Sequence, residues 1–345
     1  MVDEPIAAPT DAFDYELPAE RIAQEPAEPR DAARLLVDRG DDVAHHRVAD
    51  LDRLLEPGDL LVVNDTRVQP ARLELTKLTG GRVEVLLLEP TGHHRRWEAL
   101  VRGGRRVRPG VVLTAGVDGP PVVVVGDDLG DGRRLVELLA DDVMDRVGRI
   151  PLPPYIHRQL DDDERYQTVY ANRPGSVAAP TAGLHLTPDL LDRLERRGID
   201  VVRVELQVGL GTFRPITVER VTDHHMHHER YRVEPEVWDR VRSAACVVAV
   251  GTTVVRTLES VARSGDLEAS TDLFISRGFR WQVVDRLLTN FHVPRSSLLV
   301  LVDAFVGDRW RHLYRVALDE GYRFLSFGDA MLLDRRVGDG DRHAG

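Results

Sequence analysis

Residues 246–265 read CVVAVGTTVVRTLESVARSG. A short valine-rich run comes first, then a Gly-Thr-Thr junction. Apolar residues then return at helical spacing until Gly265. This is a buried strand feeding the N-terminus of a helix, the repeating unit of α/β proteins. The alternation recurs on both sides. VVRVELQVG (201–209) reads as a strand, and PDLLDRLERRG (188–198) and PEVWDRVRSAA (235–245) read as helices. In the first of these helices Thr187 suits the N-cap, Pro188 the first helical position and Asp189 the dipole, and Gly198 is the stop. GDLLVVNDTRV (58–68) adds an apolar strand, Leu60 to Val63, running into a polar turn. Residues 150–345 are therefore expected to form a mostly parallel sheet with helices, together with residues 1–66.

Residues 67–149 have another character. GRVEVLLLEP (81–90), VVLTAG (111–116) and PPVVVVGDD (120–128) are β-branched runs separated by Gly, Pro and Asp turns. No helical period appears before RLVELLADDVMDRVG (134–148). The spacing fits a small barrel or sandwich.

Composition excludes several chemistries. The chain has 345 residues, 42% hydrophobic and 30% charged, enough apolar material for a buried core in one large or two ordinary domains. No apolar run is long enough to span a membrane, and the acidic, Pro-rich start does not resemble a signal peptide, so a cytoplasmic protein is expected. Cys246 is the only cysteine, which removes internal disulfides, cysteine zinc fingers and Cys-ligated iron–sulfur clusters. Lys77 is the only lysine and follows no glycine-rich phosphate loop, which removes P-loop chemistry. The net charge of -11 argues against indiscriminate nucleic-acid binding. Yet HHRRWEALVRGGRRVR (93–108) gathers Arg95, Arg96, Arg102, Arg105, Arg106 and Arg108 against a single Glu98. Such a patch suits one polyanion held in one place.

The polar motifs stand at strand-to-loop and loop-to-helix junctions. Asn64-Asp65-Thr66-Arg67 follows a buried strand. Pro174 to His185 (PGSVAAPTAGLH) is rich in small residues that let a ligand approach the backbone, and His185 there suits proton transfer. Gly209 to Pro215 (GLGTFRP) lacks the third glycine of a dinucleotide fingerprint, because position 214 is Arg214. Asp223 to Glu229 (DHHMHHE) has histidine spacings compatible with a metal, although a polar substrate loop is the better reading. Gly251-Thr252-Thr253 with Arg256 suits a carboxylate or phosphate at a helix N-terminus. LTNFHVP (288–294) and YRFLSFGDAM (322–331) complete the set.

Taken together, NDTRVQPARL (64–73), IPLPPYIHR (150–158), ERYQTVYANRPGSVAAPTAGLHLT (164–187), VGLGTFRPI (208–216), DHHMHHERY (223–231), VGTTVVRTLES (250–260), TNFHVPRSSLLVLV (289–302) and YRFLSFGDAMLL (322–333) strongly resemble the S-adenosylmethionine:tRNA ribosyltransferase-isomerases of queuosine biosynthesis. The resemblance runs from about Phe13 to Leu333. It implies an α/β domain (1–66 and 150–345) with an inserted β-barrel domain (67–149). The implied reaction moves the ribosyl unit of S-adenosylmethionine onto 7-aminomethyl-7-deazaguanine at the tRNA wobble position. It isomerises that unit to the epoxycyclopentane of epoxyqueuosine and releases adenine and methionine. No metal or cofactor beyond S-adenosylmethionine as substrate is implied, and a monomer is favoured.

The implied proton-transfer candidates are His185 and His292. The candidate substrate-binding residues are Asn64, Asp65, Arg67, Thr181, Gly183, Gly211, Thr212, Phe213, Gly251, Thr252, Thr253, Arg256, Asn290 and Asp329. The Gly251–Arg256 junction is the candidate holder of the methionine carboxylate, and Phe213, Phe324 and Phe327 the candidates for stacking bases. The six clustered arginines are the candidate tRNA contacts.

The chain departs from the family pattern at Gln207 (His), Arg277 (Pro), Gln282 (Lys), Asp303 (Ser) and Leu186 (Phe). Gln207, Arg277 and Asp303 change charge or hydrogen-bonding capacity beside these motifs and bear on acceptor identity more than on fold. The alternatives are a divergent paralogue using S-adenosylmethionine with another acceptor, a non-catalytic tRNA-binding protein, and a His-loop metal hydrolase.

Overall fold

A computed structural model describes residues 8–336 except 41, 104–106, 131 and 210–214. Along the chain lie β1 (Arg34–Asp38), β2 (Val43–Arg47), α1 (Leu51–Leu54), β3 (Asp59–Asn64) and the short β4 (Thr66–Val68). The next strands are β5 (Arg72–Lys77), β6 (Arg82–Pro90), β7 (Arg96–Arg102), β8 (Val112–Thr114), β9 (Pro121–Gly130) and β10 (Arg133–Leu138). Then come α2 (Val143–Val147), β11 (Gly148–Arg149), β12 (Arg173–Ser176), α3 (Pro188–Arg196), β13 (Asp200–Leu206), β14 (Glu229–Arg232) and α4 (Pro235–Ser243). The chain continues with β15 (Cys246–Val250), α5 (Thr252–Ser264), β16 (Glu268–Thr271), β17 (Arg286–Asn290), α6 (Ser297–Val306), α7 (Arg309–Asp319) and β18 (Ala330–Asp334).

Contacts divide the chain into two compact units. One comprises the chain up to Arg67, Pro153–Arg173 and Ala179 onward. The other comprises Val68–Leu152 with Pro174–Ala178. The first is an α/β unit built on a nine-stranded sheet in the order β16-β14-β13-β3-β15-β17-β18-β1-β2. Strands β13, β3, β15 and β17 run parallel at its centre. Antiparallel pairs flank them at β14–β13, β17–β18 and β1–β2, so the sheet is mixed and its parallel part is central. The reason is visible in β3, whose DLLVVN is buried at every position. A strand covered on both faces reads as a continuous apolar run, as central parallel strands do.

The helices start and stop where their sequences require. Thr187 Oγ1 accepts from the Leu190 amide at 3.2 Å at the head of α3. Ser296 Oγ does the same for Leu299 in α6, also at 3.2 Å. Gly265 takes a left-handed conformation after α5, at φ 81°. Leu35, Leu61, Val63, Leu190, Leu194, Val248, Val250 and Leu288 form one continuous core in this unit.

The second unit is a closed antiparallel barrel. Its strands follow the order β5-β6-β7-β10-β9-β8, and β5 pairs back onto β8. Alternate residues such as Leu73 and Leu75, Val83, Val85 and Leu87, and Val123 and Val125 point inward and fill it. Among the described residues no helix is long and apolar enough to cross a membrane.

Candidate active site

The carboxyl ends of β13, β3, β15 and β17 share one edge of the central sheet, and the motifs collect there. Ligands of open α/β sheets bind at such an edge. Asp65 follows β3, Gly251 follows β15, and His292 lies two residues beyond β17. β18 runs antiparallel to β17, so Asp329, just before it, reaches the same edge. The 3-10 turn Thr181–His185 packs against β17.

His185 is 4% exposed and bonds the amide nitrogen of Asn290 through Nε2 at 3.0 Å. That amide nitrogen also donates to the carbonyls of Leu325 (3.1 Å) and Asp329 (3.5 Å), which fixes which way the amide faces. An NH2 group can only donate, so Nε2 of His185 carries the lone pair and Nδ1 the hydrogen. Burial, with the charges of Arg323 and Arg30 adding to it, lowers the imidazole pKa to about 4. His185 is therefore neutral and basic at Nε2.

His292 is also buried, and burial lowers its pKa to about 3. Its Nε2 lies 3.0 Å from Thr289 Oγ1. Its main chain is clamped by two phenols. The amide donates to Tyr314 Oη at 2.9 Å, and the carbonyl accepts from Tyr15 Oη at 2.5 Å. The tyrosines were not singled out in the sequence, because nothing local to TNFHVP places Tyr15 beside it.

Several of the expected ligand contacts also bond the protein frame. Asn64 is fully buried. Its amide donates to the Leu206 carbonyl at 2.9 Å, and its oxygen accepts from the amides of Leu206 and Thr66, both at 3.2 Å. It laces β3 to β13. Asp329 accepts from the amides of Arg34 (2.9 Å) and Arg323 (2.8 Å) and so holds its own loop closed. Arg256 is 5% exposed and pairs with Glu229, while its Nε donates to the Leu273 carbonyl at 3.0 Å and its NH2 group to that of Thr271 at 3.4 Å. All three of its nitrogens thus bond protein acceptors. Arg67 forms an exposed ion pair with Glu164. Phe324 is buried among Tyr15, Phe291 and Tyr314, and Phe327 is buried in a T-shaped contact with Tyr166.

Other groups at the edge lack partners. Asp65 is 4% exposed. One oxygen lies 3.9 Å from Arg173 and the other has no hydrogen bond. Burial, the largest influence, raises its carboxyl pKa, and the charge of Arg173 opposes this. The hydroxyls of Thr168, Tyr170 and Thr253 and the oxygen of Asn290 are likewise buried without a bond. Gly251 sits at φ 90°, which suits glycine, and α5 begins right after it with no side-chain cap. Its first amides, beside Thr252 and Thr253, lie at the positive end of the dipole of a 13-residue helix. Thr181 is half-buried and Gly183 buried. Gly211, Thr212 and Phe213 lie outside the described residues.

The arginine patch is less compact than its sequence suggests. Arg96 and Arg102 end opposite extremes of β7, roughly 20 Å apart at the rise of a strand. Arg95 donates to the Leu139 carbonyl at 3.0 Å and lies 3.5 Å from Asp141, and Arg96 lies 3.4 Å from Glu137. Arg102 is 76% exposed with Glu84 at 3.8 Å, and Arg108 is exposed. Arg105 and Arg106 lie outside the described residues. Around His224 to His228, as elsewhere among the described residues, no group of three or more His, Cys, Asp or Glu is placed to hold a metal ion.

Two of the departures from the family pattern answer each other. Arg277 pairs with Asp303 through Nε at 3.0 Å and NH2 at 2.5 Å, and Trp310 Nε1 also donates to Asp303 at 3.0 Å. This pair ties α6 to the loop between β16 and β17. Gln282 is exposed, and Leu186 belongs to the core. Gln207 stays near the edge and bonds Glu205 at 3.0 Å.

Residues 10–333 match the family model described as queuosine biosynthesis protein. The chain is 54% identical over 332 residues to a protein of Rubrobacter xylanophilus named S-adenosylmethionine:tRNA ribosyltransferase-isomerase, covering 94% of this chain and 97% of that one. It is 48% identical over 342 residues to a protein of the same name from Thermosynechococcus vestitus, covering 94% and 95%. A crystal structure titled S-adenosylmethionine tRNA ribosyltransferase, from Thermotoga maritima, is similar with a TM-score of 0.53 at 38% identity, covering 93% of this chain and 99% of that one.

Proposed function

The chain belongs to the queuosine biosynthesis protein family, and from this premise we propose that it transfers and isomerises the ribosyl moiety of S-adenosylmethionine onto 7-aminomethyl-7-deazaguanine of tRNA. Epoxyqueuosine-tRNA, adenine and methionine are the products. The observation that carries this reading is identity of about one half, over nearly the whole length, to relatives named for that activity. The reaction would run in the cytoplasm on a monomer, with S-adenosylmethionine as substrate and no further cofactor.

The roles follow from the edge of the sheet. The sulfonium acidifies the ribose 5′ carbon, and a neutral buried imidazole suits removal of that proton. His185 is the base in this reading, with Asn290 keeping Nε2 unprotonated until substrate takes the amide's place. His292 is the second proton-transfer candidate. The main-chain amides of the first turn of α5, which Thr252 opens after Gly251, receive the methionine carboxylate. Arg102 and Arg108, with the other clustered arginines, contact the tRNA backbone. The β-barrel, Val68–Leu152, is proposed as the inserted domain that carries them.

The test is chemical. After incubation with S-adenosylmethionine and tRNA bearing 7-aminomethyl-7-deazaguanine, digested tRNA should contain the epoxyqueuosine nucleoside by mass spectrometry. Recovery of the 7-aminomethyl-7-deazaguanine nucleoside unchanged, with S-adenosylmethionine unconsumed, would refute the reading. His185→Ala should lower turnover by roughly 10²-fold or more with little change in tRNA affinity. An unchanged rate would discard the base assignment and leave the reaction standing.

A further inference from the structure

We infer that the hydroxyls of Thr168, Tyr170 and Thr253, with the Asp65 carboxylate, form the seat of the hydroxylated sugar of the nucleoside substrate. This inference rests on the function proposed above and identifies which part of the substrate these groups hold. Neither Thr168 nor Tyr170 stood out in the sequence, since Thr and Tyr in ERYQTVYANR read equally well as ordinary core and turn residues.

The first ground is an anomaly of hydrogen bonding. Buried polar side chains in folded proteins nearly always have partners, and an unpaired one needs an explanation. Thr168, Tyr170, Thr253 and Asp65, each no more than 8% exposed, are among the buried residues that have an oxygen with none. The protein carries their desolvation cost unrelieved unless a ligand completes them.

The second ground is that they are neighbours. Tyr170 Oη stands 2.0 Å from where a Cβ on Gly183 would lie, and Thr168 Cγ2 stands 3.0 Å from it. Any other residue at 183 would push the phenol away. Ala182, next in the chain, lies 3.6 Å from the Cβ position of Gly251, and Thr253 Oγ1 lies 3.7 Å from the same point. Asp65 joins from the adjacent strand end, because β3 and β15 are paired. Its carbonyl accepts from the amides of Asn172 (2.8 Å) and Arg173 (3.2 Å), which anchors the segment two residues after Tyr170. The Asp65 charge also acts on the Tyr170 phenol, whose pKa burial has already raised.

The third ground is chemical fit. Hydroxyls both donate and accept, whereas a carboxylate only accepts. Together they match vicinal sugar hydroxyls, which offer protons to the carboxylate and lone pairs to Thr and Tyr. A phosphate or a substrate carboxylate would meet Asp65 as a like charge in a dry site, so an anion is disfavoured here. The sugar is also the part of S-adenosylmethionine that is transferred, so these groups would hold the reacting skeleton.

Calorimetric titration of the full-length protein tests this, with and without tRNA carrying unmodified guanine at the wobble position. The ligands are S-adenosylmethionine and its 2′- and 3′-deoxy analogues, and the proteins are wild type, Tyr170→Phe and Thr168→Val. Each variant should bind S-adenosylmethionine about tenfold more weakly, the effect of one lost buried hydrogen bond. At least one deoxy analogue should bind wild type and variant alike. Melting temperatures should equal or exceed the wild-type value, because no internal bond is removed. Undiminished affinity in both variants, or a melting temperature lowered by several degrees in both, overturns the inference while the reaction stands. Wild type that binds no S-adenosylmethionine in either condition overturns the inference and the proposed function together.

Discussion

His185 and His292 show how far a single residue can be read from sequence. Their motifs mark them as candidates for proton transfer. Their state could not be read, because it depends on Asn290, 105 positions from His185, and on burial that only the fold creates. Both have folded pKa values, about 4 and about 3, below the ordinary 6.5. The unfolded chain therefore binds more protons between those values and 6.5. The stability they contribute is complete above pH 6.5 and is lost as pH falls toward 4 and 3. Near pH 5 each adds about 1.4 kcal/mol per pH unit to the slope of unfolding free energy. Denaturant titrations across pH 4.5–7 should show His185→Gln with a slope shallower by about that amount, and an identical slope would contradict the buried neutral state. Turnover should likewise pass through pH 6.5 without the inflection of an ordinary histidine.

Elements were legible where one apolar pattern has one meaning. The strand–Gly-Thr-Thr–helix of 246–265 became β15 and α5 because a continuous apolar run followed by helical spacing fits little else. The antiparallel flanks were not legible. AMLLD in β18 is buried at four of five positions and would read the same in either direction. Closure of the barrel through β5 and β8 was equally hidden, since pairing partners leave no local trace. The frame contacts of Asn64 and Arg256 were hidden for a related reason. A polar residue at a strand end or helix start serves the frame or a ligand equally well until its partners are known. The departures Arg277 and Asp303 belong to this scale, as a clasp on α6. Arg277 is 37% exposed, so solvent screens the pair, and a double-mutant cycle with Arg277→Ala and Asp303→Ala should give a coupling of about 1 kcal/mol. Turnover should be unaffected in Arg277→Ala. A changed acceptor preference in that variant would instead link the departure to substrate choice.

For the whole molecule, a net charge of -11 must be reconciled with a polyanionic substrate. Contact has to be local, and the arginines differ in their freedom to make it. Arg95 and Arg96 are occupied by Leu139, Asp141 and Glu137, whereas Arg102 and Arg108 are open to solvent. Reversing Arg102 and Arg108 to Glu should weaken tRNA binding and reduce its log–log salt slope by about one per lost contact. Reversing Arg95 and Arg96 should do less, and an equal effect from both pairs would refute this ranking. The central claim is the reaction itself, and product stoichiometry tests it most directly. Loss of adenine leaves a carbon skeleton that only an attached acceptor can trap, so chemistry should wait for the acceptor amine. Adenine and methionine should appear in equal amounts when S-adenosylmethionine meets tRNA bearing 7-aminomethyl-7-deazaguanine, and neither should appear with unmodified tRNA. Release of neither in the presence of the modified tRNA, or of methionine without adenine, would contradict the account.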